Sequence, residues 1–191
     1  MTGRRLARAA AWTAGAAAVA AGSYAGLVSG ALPVDLGVGR RVRRLGPQTV
    51  DLAAPRDVVF DVIAQPYLGR TTRTMREKVR VLERGSDMVL AAHYTPVGGG
   101  RKAVTVETVR FLRPERIDFR LVRGPVPHVV ESFTLTEHAA GTRLVYEGEL
   151  GTDLWALGQR WGHVVAGRWE ETVAASLALV AKEAERRTCC S

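Results

Sequence analysis

Cysteine is almost missing from this 191-residue chain, and the two present are neighbours at its very end, Cys189 and Cys190. Adjacent residues in a terminal tail cannot staple a fold, which excludes the disulfide-rich secreted class. Structural zinc is excluded on the same ground, because no further Cys is within reach and the four His are scattered. Aromatics make up only 6% of residues, so a core must be built mainly from Val, Leu and Ala. Gly37-Val38-Gly39 lacks the further glycines and the Lys of a phosphate loop, and no cofactor is expected. Acids are scarce only at the start: residues 1–48 hold seven Arg against the single acid Asp35, whereas residues 49–191 hold 20 basic and 18 acidic residues. A net charge of +8 and a pI near 10.3 would by themselves suggest nucleic acid. Because the excess sits at the N-terminal flanks and the body is nearly neutral, no nucleic-acid partner is expected. The length suits one domain with one sizeable core.

From Ala9 to Leu32 there is no charge over 24 residues. As a helix this run would extend about 36 Å, enough for a hydrocarbon layer of about 30 Å. It is rich in Ala and Gly, with Trp12, Val19, Leu27, Val28 and Leu32 supplying most of its hydrophobicity. One reading is a single-pass N-terminal anchor in which Gly22, Gly26 and Gly30 share a face that a second helix can approach. The other is a cleaved export signal, with Arg4, Arg5 and Arg8 at its start and Ser29 and Ala31 before the cut, although the run exceeds the usual 7–15 residues. Arginines on both sides leave the orientation open. Residues 33–47 read as a basic linker in which Arg40, Arg41, Arg43 and Arg44 could touch anionic lipid headgroups.

A folded body is expected over residues 48–187, followed by a short tail, 188–191. Gln48–Ala53 alternates as a strand. Pro55-Arg56-Asp57 opens a helix that is expected to stop near Gln65-Pro66, and a second short helical turn or loop is expected over 66–73. Alternating segments then run over about 75–84, 88–95, 101–112, 116–122, 127–137 and 142–150, separated by Gly, Pro and Asp turns; they predict an antiparallel meander. From Thr152 or Asp153, either a good N-cap, a helical pattern continues to about Arg187, roughly 50 Å. Leu154, Leu157, Trp161, Val165, Thr172, Ser176 and Val180 recur near one face of it.

A helix of this length can bury its stripe only against the sheet, and a sheet curving around it would leave a cavity between them. The order strand, helix pair, six strands, long helix is an α+β arrangement. The segments Val50-Asp51-Leu52-Ala53-Ala54-Pro55-Arg56-Asp57-Val58-Val59-Phe60-Asp61-Val62-Ile63, Gly141-Thr142-Arg143-Leu144-Val145-Tyr146 and Trp169-Glu170-Glu171-Thr172-Val173 give the chain from about Gln48 to Arg187 a specific likeness. It resembles the SRPBCC superfamily, the START-like helix-grip fold, in its polyketide cyclase/dehydrase and lipid-transport branch. The resemblance implies a curved antiparallel sheet gripping the C-terminal helix, here preceded by a membrane-type helix. These segments speak for the fold and not for one activity.

Alternation assigns the lining of such a cavity. Phe119 shares a face with Ile117 and Leu121; Phe133 with Val129 and Leu135; Tyr146 with Leu144 and Leu150. Two carboxylates, Glu107 and Glu131, fall on these apolar faces. An inward carboxylate must be protonated, paired or solvated, and could serve as an acid, a base or a ligand anchor, or be held structurally by an Arg such as Arg168. On the long helix, Trp161 and Trp169 are close enough in angle to frame an apolar ligand. The four His have no metal-site spacing and read as solvent or loop residues. The expected function is membrane-tethered binding or carriage of a hydrophobic small molecule of lipid, polyketide or quinone class. The alternatives are a metal-free cyclase or dehydratase using Glu131 and Tyr146, and a module whose groove holds a partner chain. The expected location is a membrane, with export as the alternative.

Overall fold

A computed structural model describes residues 19, 21–29, 35–69 and 73–189. Strand β1 (Arg41–Leu52) leads into helices α1 (Arg56–Leu68) and α2 (Arg73–Lys78). Six strands follow: β2 (Val79–Arg84), β3 (Met88–Gly98), β4 (Arg101–Leu112), β5 (Arg116–Arg123), β6 (His128–His138) and β7 (Gly141–Thr152). Helix α3 (Trp155–Cys189) closes the chain. All seven strands form one antiparallel sheet in the order β1-β7-β6-β5-β4-β3-β2. Successive hairpins account for β2 to β7, and β1 closes on β7. One sheet face, with Leu52, Val109, Ile117, Leu135 and Leu144 almost fully buried, packs with Val59 and Phe60 of α1 and with Val165, Ala166, Val173 and Leu177 of α3. This is the α+β helix-grip arrangement.

Several boundaries differ from the sequence reading, each for a local reason. The stretch expected as a linker contributes half of β1. Arg41–Leu45 pair with Thr152–Gly148, and Leu45 is 1% exposed. The register shifts between Leu45 and Gln48, so Gly46 and Pro47 leave the ladder where Pro47 has no N–H to give. Ahead of the strand, the buried carboxylate of Asp153 gathers the chain: Oδ2 accepts from the amides of Leu36 (2.7 Å) and Gly37 (2.8 Å), and Oδ1 from Arg40 Nε (2.8 Å). Asp153 is therefore engaged with residues 36–40 instead of capping the helix, and α3 begins at Trp155. Helix α1 runs through Pro66, since a proline so near the C-terminal end forfeits little more than its own absent N–H bond. Helix α2 occupies the start of the segment expected as the first meander strand, and α3 extends to Cys189, into the expected tail.

The buried stripe of α3 is Gly162, Val165, Ala166, Val173, Leu177 and Ala184. Thr172 and Ser176, expected on that stripe, are exposed and give their hydroxyls to the carbonyls of Arg168 (2.8 Å) and Thr172 (2.9 Å). Val173 and Leu177, one position further on, bury more apolar surface and set the rotation of the helix. Leu157 is exposed as well.

Of the run Ala9–Leu32, residues 21–28 are described and helical. Val28 is 6% exposed, and the Tyr24 ring meets Trp161 edge-on with centroids 6.1 Å apart, so this piece packs on the domain. Among the described residues no helix is long and apolar enough to cross a membrane. The remainder of the expected anchor, most of residues 1–32, lies outside the described residues.

Because Leu45 belongs to the core, a domain beginning at Gly46 should be less stable than one beginning at Asp35. Losing a buried Leu removes about 2–5 kcal/mol, and in a domain of this size each kcal/mol corresponds to about 2–4 °C. Thermal denaturation should show Tm lower by about 5 °C or more for 46–191 than for 35–191; equal values would place Leu45 outside the cooperative unit.

Candidate ligand site between sheet and helix

The inner sheet face brings two polar clusters together among aromatic rings. Antiparallel register sets the first. Glu131 of β6 lies opposite Phe119 of β5 on one side and Gly148 of β7 on the other. A Cβ at position 148 would lie 2.7 Å from Glu131 Cβ and 2.5 Å from the Val130 carbonyl oxygen, so only glycine permits this approach. Into the space it leaves, Tyr146 donates its hydroxyl to Glu131 Oε2 at 2.8 Å, and Trp169 of α3 donates its indole N–H to the same oxygen at 2.7 Å. Both hydrogen bonds go to Oε2, and Oε1 is not among the sealed polar atoms left without a partner.

The second cluster is built on β3 and β4. His93 lies opposite Thr105, next to the Ala91–Glu107 pair. His93 Nδ1 is 3.2 Å from Glu107 Oε2, an ion-pair contact outside good hydrogen-bond alignment, and Nε2 is 2.9 Å from the Tyr67 hydroxyl of α1. Phe119 connects the two clusters, with ring centroids 6.0 Å from Tyr67, 6.5 Å from His93 and 5.5 Å from Phe133. Phe133 in turn stands 5.2 Å from Tyr146.

Electrostatics separate the two carboxyls. Burial among these rings pushes Glu131 up to about 7, and the negative charge of Glu107 adds to the rise, against the hydrogen bonds from Tyr146 and Trp169. Burial opposes the charge of Glu107 too, but the adjacent His93 imidazolium, helped by Thr105, outweighs it and holds Glu107 below the ordinary carboxylate range. Burial likewise works against charging His93, and Glu107 overcomes it, so the imidazole is raised. Burial first, then the nearby carboxylates, pushes the Tyr67 and Tyr146 hydroxyls upward. Both shifts favour an ion pair of Glu107 with His93, beside a Glu131 carboxyl poised near neutral pH between its two forms.

Of the residues selected from sequence, Glu107, Phe119, Glu131, Phe133, Tyr146 and Trp169 converge here. Trp161 does not join them: its indole N–H goes to the Pro125 carbonyl at 2.8 Å, and its ring faces Tyr24. Arg168 does not pair with Glu131; it meets Glu171 at 3.2 Å on the surface. His93 and Tyr67 were missed. The signal for His93 was available, because it continues the inward positions Val89 and Ala91 of its strand; Tyr67 continues Phe60 and Ile63 along α1. Among the described residues no group of His, Cys, Asp and Glu could hold a metal ion.

A concavity of about 750 Å³ also opens on the opposite, outer face of the sheet, between Arg44, Arg110, Arg120 and Glu149. It touches Phe119 and Glu131, residues whose side chains join the inner-face contacts described above. Part of its charge is internally paired, as in Arg110–Asp87 and Arg116–Asp118. The buried carboxyls, Glu107 and Glu131, belong to the inner face.

Residues 47–185 match the polyketide cyclase/dehydrase and lipid transport family, and the chain belongs to that family. No curated protein matches it. Among solved structures, the Zhui aromatase/cyclase from Streptomyces sp. R1128 superposes with a TM-score of 0.61 at 22% identity, over 78% of this chain and 96% of that one. The di-domain aromatase/cyclase StfQ of the steffimycin biosynthetic pathway gives 0.59 at 14% identity, covering 78% of this chain and 52% of its own. Ara h 8.0201 gives 0.51 at 11% identity, covering 80% of this chain and all of its own. At these identities the likeness establishes the fold.

The Glu131 carboxyl gives a pH signature. Its folded value of about 7 lies above the ordinary 4.5, so between these values the folded state holds a proton that the unfolded chain has lost. Stability then falls as pH rises through this window. Compared with Glu131→Gln, the wild type should lose Tm progressively from pH 4.5 to 7 and stay at a constant offset above. Parallel Tm curves across that range would show Glu131 to be ordinary. His93, also raised, contributes with the same sign; the Glu131 charge is one of its lesser causes, so the difference between the curves reports Glu131 together with its effect on His93.

Proposed function

We propose that the protein binds a hydrophobic small molecule between the sheet and α3, with Glu131 as the polar anchor. The observation that carries this reading is a buried carboxyl whose two protein donors, Tyr146 and Trp169, both go to Oε2, beside the rings of Phe119 and Phe133. A protonated Glu131 donates from Oε1 to a ligand carbonyl or hydroxyl, and the aromatic rings cover the ligand's apolar body. Family membership and the aromatase/cyclase neighbours support a ligand of this general kind. Lipids, polyketides and quinones all combine an apolar body with such acceptor oxygens.

A second reading is acid–base catalysis of cyclase or dehydratase type. It is favoured by one observation: two neighbouring carboxyls pushed in opposite directions, one of them beside His93 and Tyr67. Glu131 would supply a proton as acid, and the Glu107–His93 pair would hold or return one.

We also infer attachment to a membrane through the uncharged N-terminal run. With Tyr24 and Val28 packed on the domain, residues 9–22 would extend only about 21 Å as a helix, short of the hydrocarbon layer of about 30 Å. Insertion at the interface suits these lengths better than a full crossing. N-terminal sequencing of protein from its own host should find the chain intact ahead of Ala31; a terminus at or beyond Leu32 would mean export with removal of the segment.

The anchor is tested by titrating a naphthoquinone into wild type, Glu131→Gln and Glu131→Ala. Gln keeps a neutral donor, so its affinity should stay within about threefold, whereas Ala should lose roughly three- to tenfold, the effect of one neutral hydrogen bond. Wild-type affinity should fall above pH 7 as the carboxyl ionises, and the Gln variant should be flat. Unchanged affinity in Glu131→Ala would remove Glu131 from the site. Loss of turnover in Glu131→Gln with binding intact, measured on a substrate identified by native mass spectrometry, would favour the enzyme.

A further inference from the structure

One end of the molecule exposes apolar side chains that its own fold holds outward. The loop before β1 and the start of α3 are joined by backbone hydrogen bonds, Leu154 N–H to the Val38 carbonyl at 2.9 Å and Trp155 N–H to the Gly39 carbonyl at 3.0 Å. Leu154 and Trp155 have φ of 67° and 49°, a left-handed conformation that is unfavourable for both residues and persists only because surrounding contacts impose it. The result is that Trp155 lies across Gly39, where a Cβ would collide with its ring, and remains 54% exposed. Leu36, Val38, Leu157 and Val164 are exposed at the same end, Leu157 by 68%. Leu157, Trp161 and Val164 follow one another on one face of α3, and Tyr24 of the N-terminal helical segment sits against Trp161. Arg41 and Arg160 at this end are exposed and have no acidic partner among the described residues, whereas Arg40 is bound to Asp35 and Asp153.

We propose that this face, formed by Leu36, Val38, Trp155, Leu157 and Val164, docks on an anionic lipid bilayer, with Trp155 at the depth of the headgroups. The proposal rests on the membrane attachment inferred above and names the surface that makes it. Exposed apolar side chains near exposed arginines are complementary to a bilayer interface, and tryptophan is the side chain that such an interface favours. The chain itself argues for this occupant. The uncharged run Ala9–Leu32 ends three residues before Asp35, and Leu36 and Gly37 are pinned beside Trp155 through Asp153. Tyr24 rests on Trp161, which shares its helix face with Leu157 and Val164, so insertion of the uncharged residues ahead of Tyr24 brings this end against the bilayer.

The test uses the full-length chain carrying Trp12→Phe, so that lipid-quenched emission reports the domain, with vesicles containing phosphatidylglycerol and bromine-labelled lipid. Vesicle binding and bromolipid quenching are expected, and adding Trp155→Phe should remove most of the quenching while circular dichroism stays unchanged. Binding that resists high salt with Trp155 unquenched would overturn the docking face and leave the attachment standing. Salt-sensitive binding with Trp155 quenched would support the face and remove the inserted segment. No association with vesicles would overturn both. Shielding of Trp155 without lipid, together with a dimer in sedimentation, would overturn the proposal in favour of a second copy of the chain.

Discussion

A carboxylate placed on the apolar face of a sheet has to be neutralised or bonded, and Glu131 meets that condition by drawing on three elements at once. Its strand neighbour Gly148 leaves the room, Tyr146 on the same face provides one donor, and Trp169 reaches across from α3 to provide the other. The hydrogen bond to Trp169 fixes how far along the sheet the long helix sits. The next residue of the same helix, Glu170, receives Arg43 at 3.3 Å and the Gly46 amide at 3.3 Å, and its carbonyl receives Gln48 Nε2 at 3.1 Å. Trp169 and Glu170 thus fasten α3 to the sheet interior and to its β1 edge on successive positions.

The same logic of a buried acid gathering donors recurs at Asp153. Its partners are two backbone amides and an arginine, and Arg40 hydrogen bonding holds it below the ordinary carboxylate range despite burial. The environments produce different behaviour. Asp153 faces a permanent cation and stays ionised, which makes it a structural tie. Glu131 faces neutral donors and the charge of Glu107, which keeps it near the point where it gains or loses a proton. A group in the second condition is the one suited to binding or chemistry near neutral pH.

The inner sheet face is polar at two points among aromatic rings. The Glu107–His93 pair carries no net charge, so it does not by itself select a charged ligand. The strong basic character of the chain plays no part in this site; it lies near the N terminus, where half of the Arg40–Arg44 cluster is engaged within the domain by Asp153 and Glu170.

Alternation along single strands was enough to place Glu107, Phe119, Glu131, Phe133 and Tyr146 on one face, because the side-chain period of two depends only on a strand remaining extended. The order of elements and the helix-grip architecture were legible for a similar reason: turn residues and the change from period two to period 3.6 are local signals. The entry of Arg41–Leu45 into β1 was not legible, since pairing with β7 involves residues about a hundred positions away and overrides a Gly- and Arg-rich composition. Nor was the rotation of α3, where Val173 and Leu177 displaced Thr172 and Ser176 from the buried face by one residue of helical angle, about 100°. The sequence by itself determined which side chains could face inward and that two of them were acids. Only the tertiary structure decided their partners, putting His93 with Glu107 and Tyr146 and Trp169 with Glu131. Hydrogen bonds and charge interactions act over a few ångströms in space, and no periodicity along the chain encodes those distances.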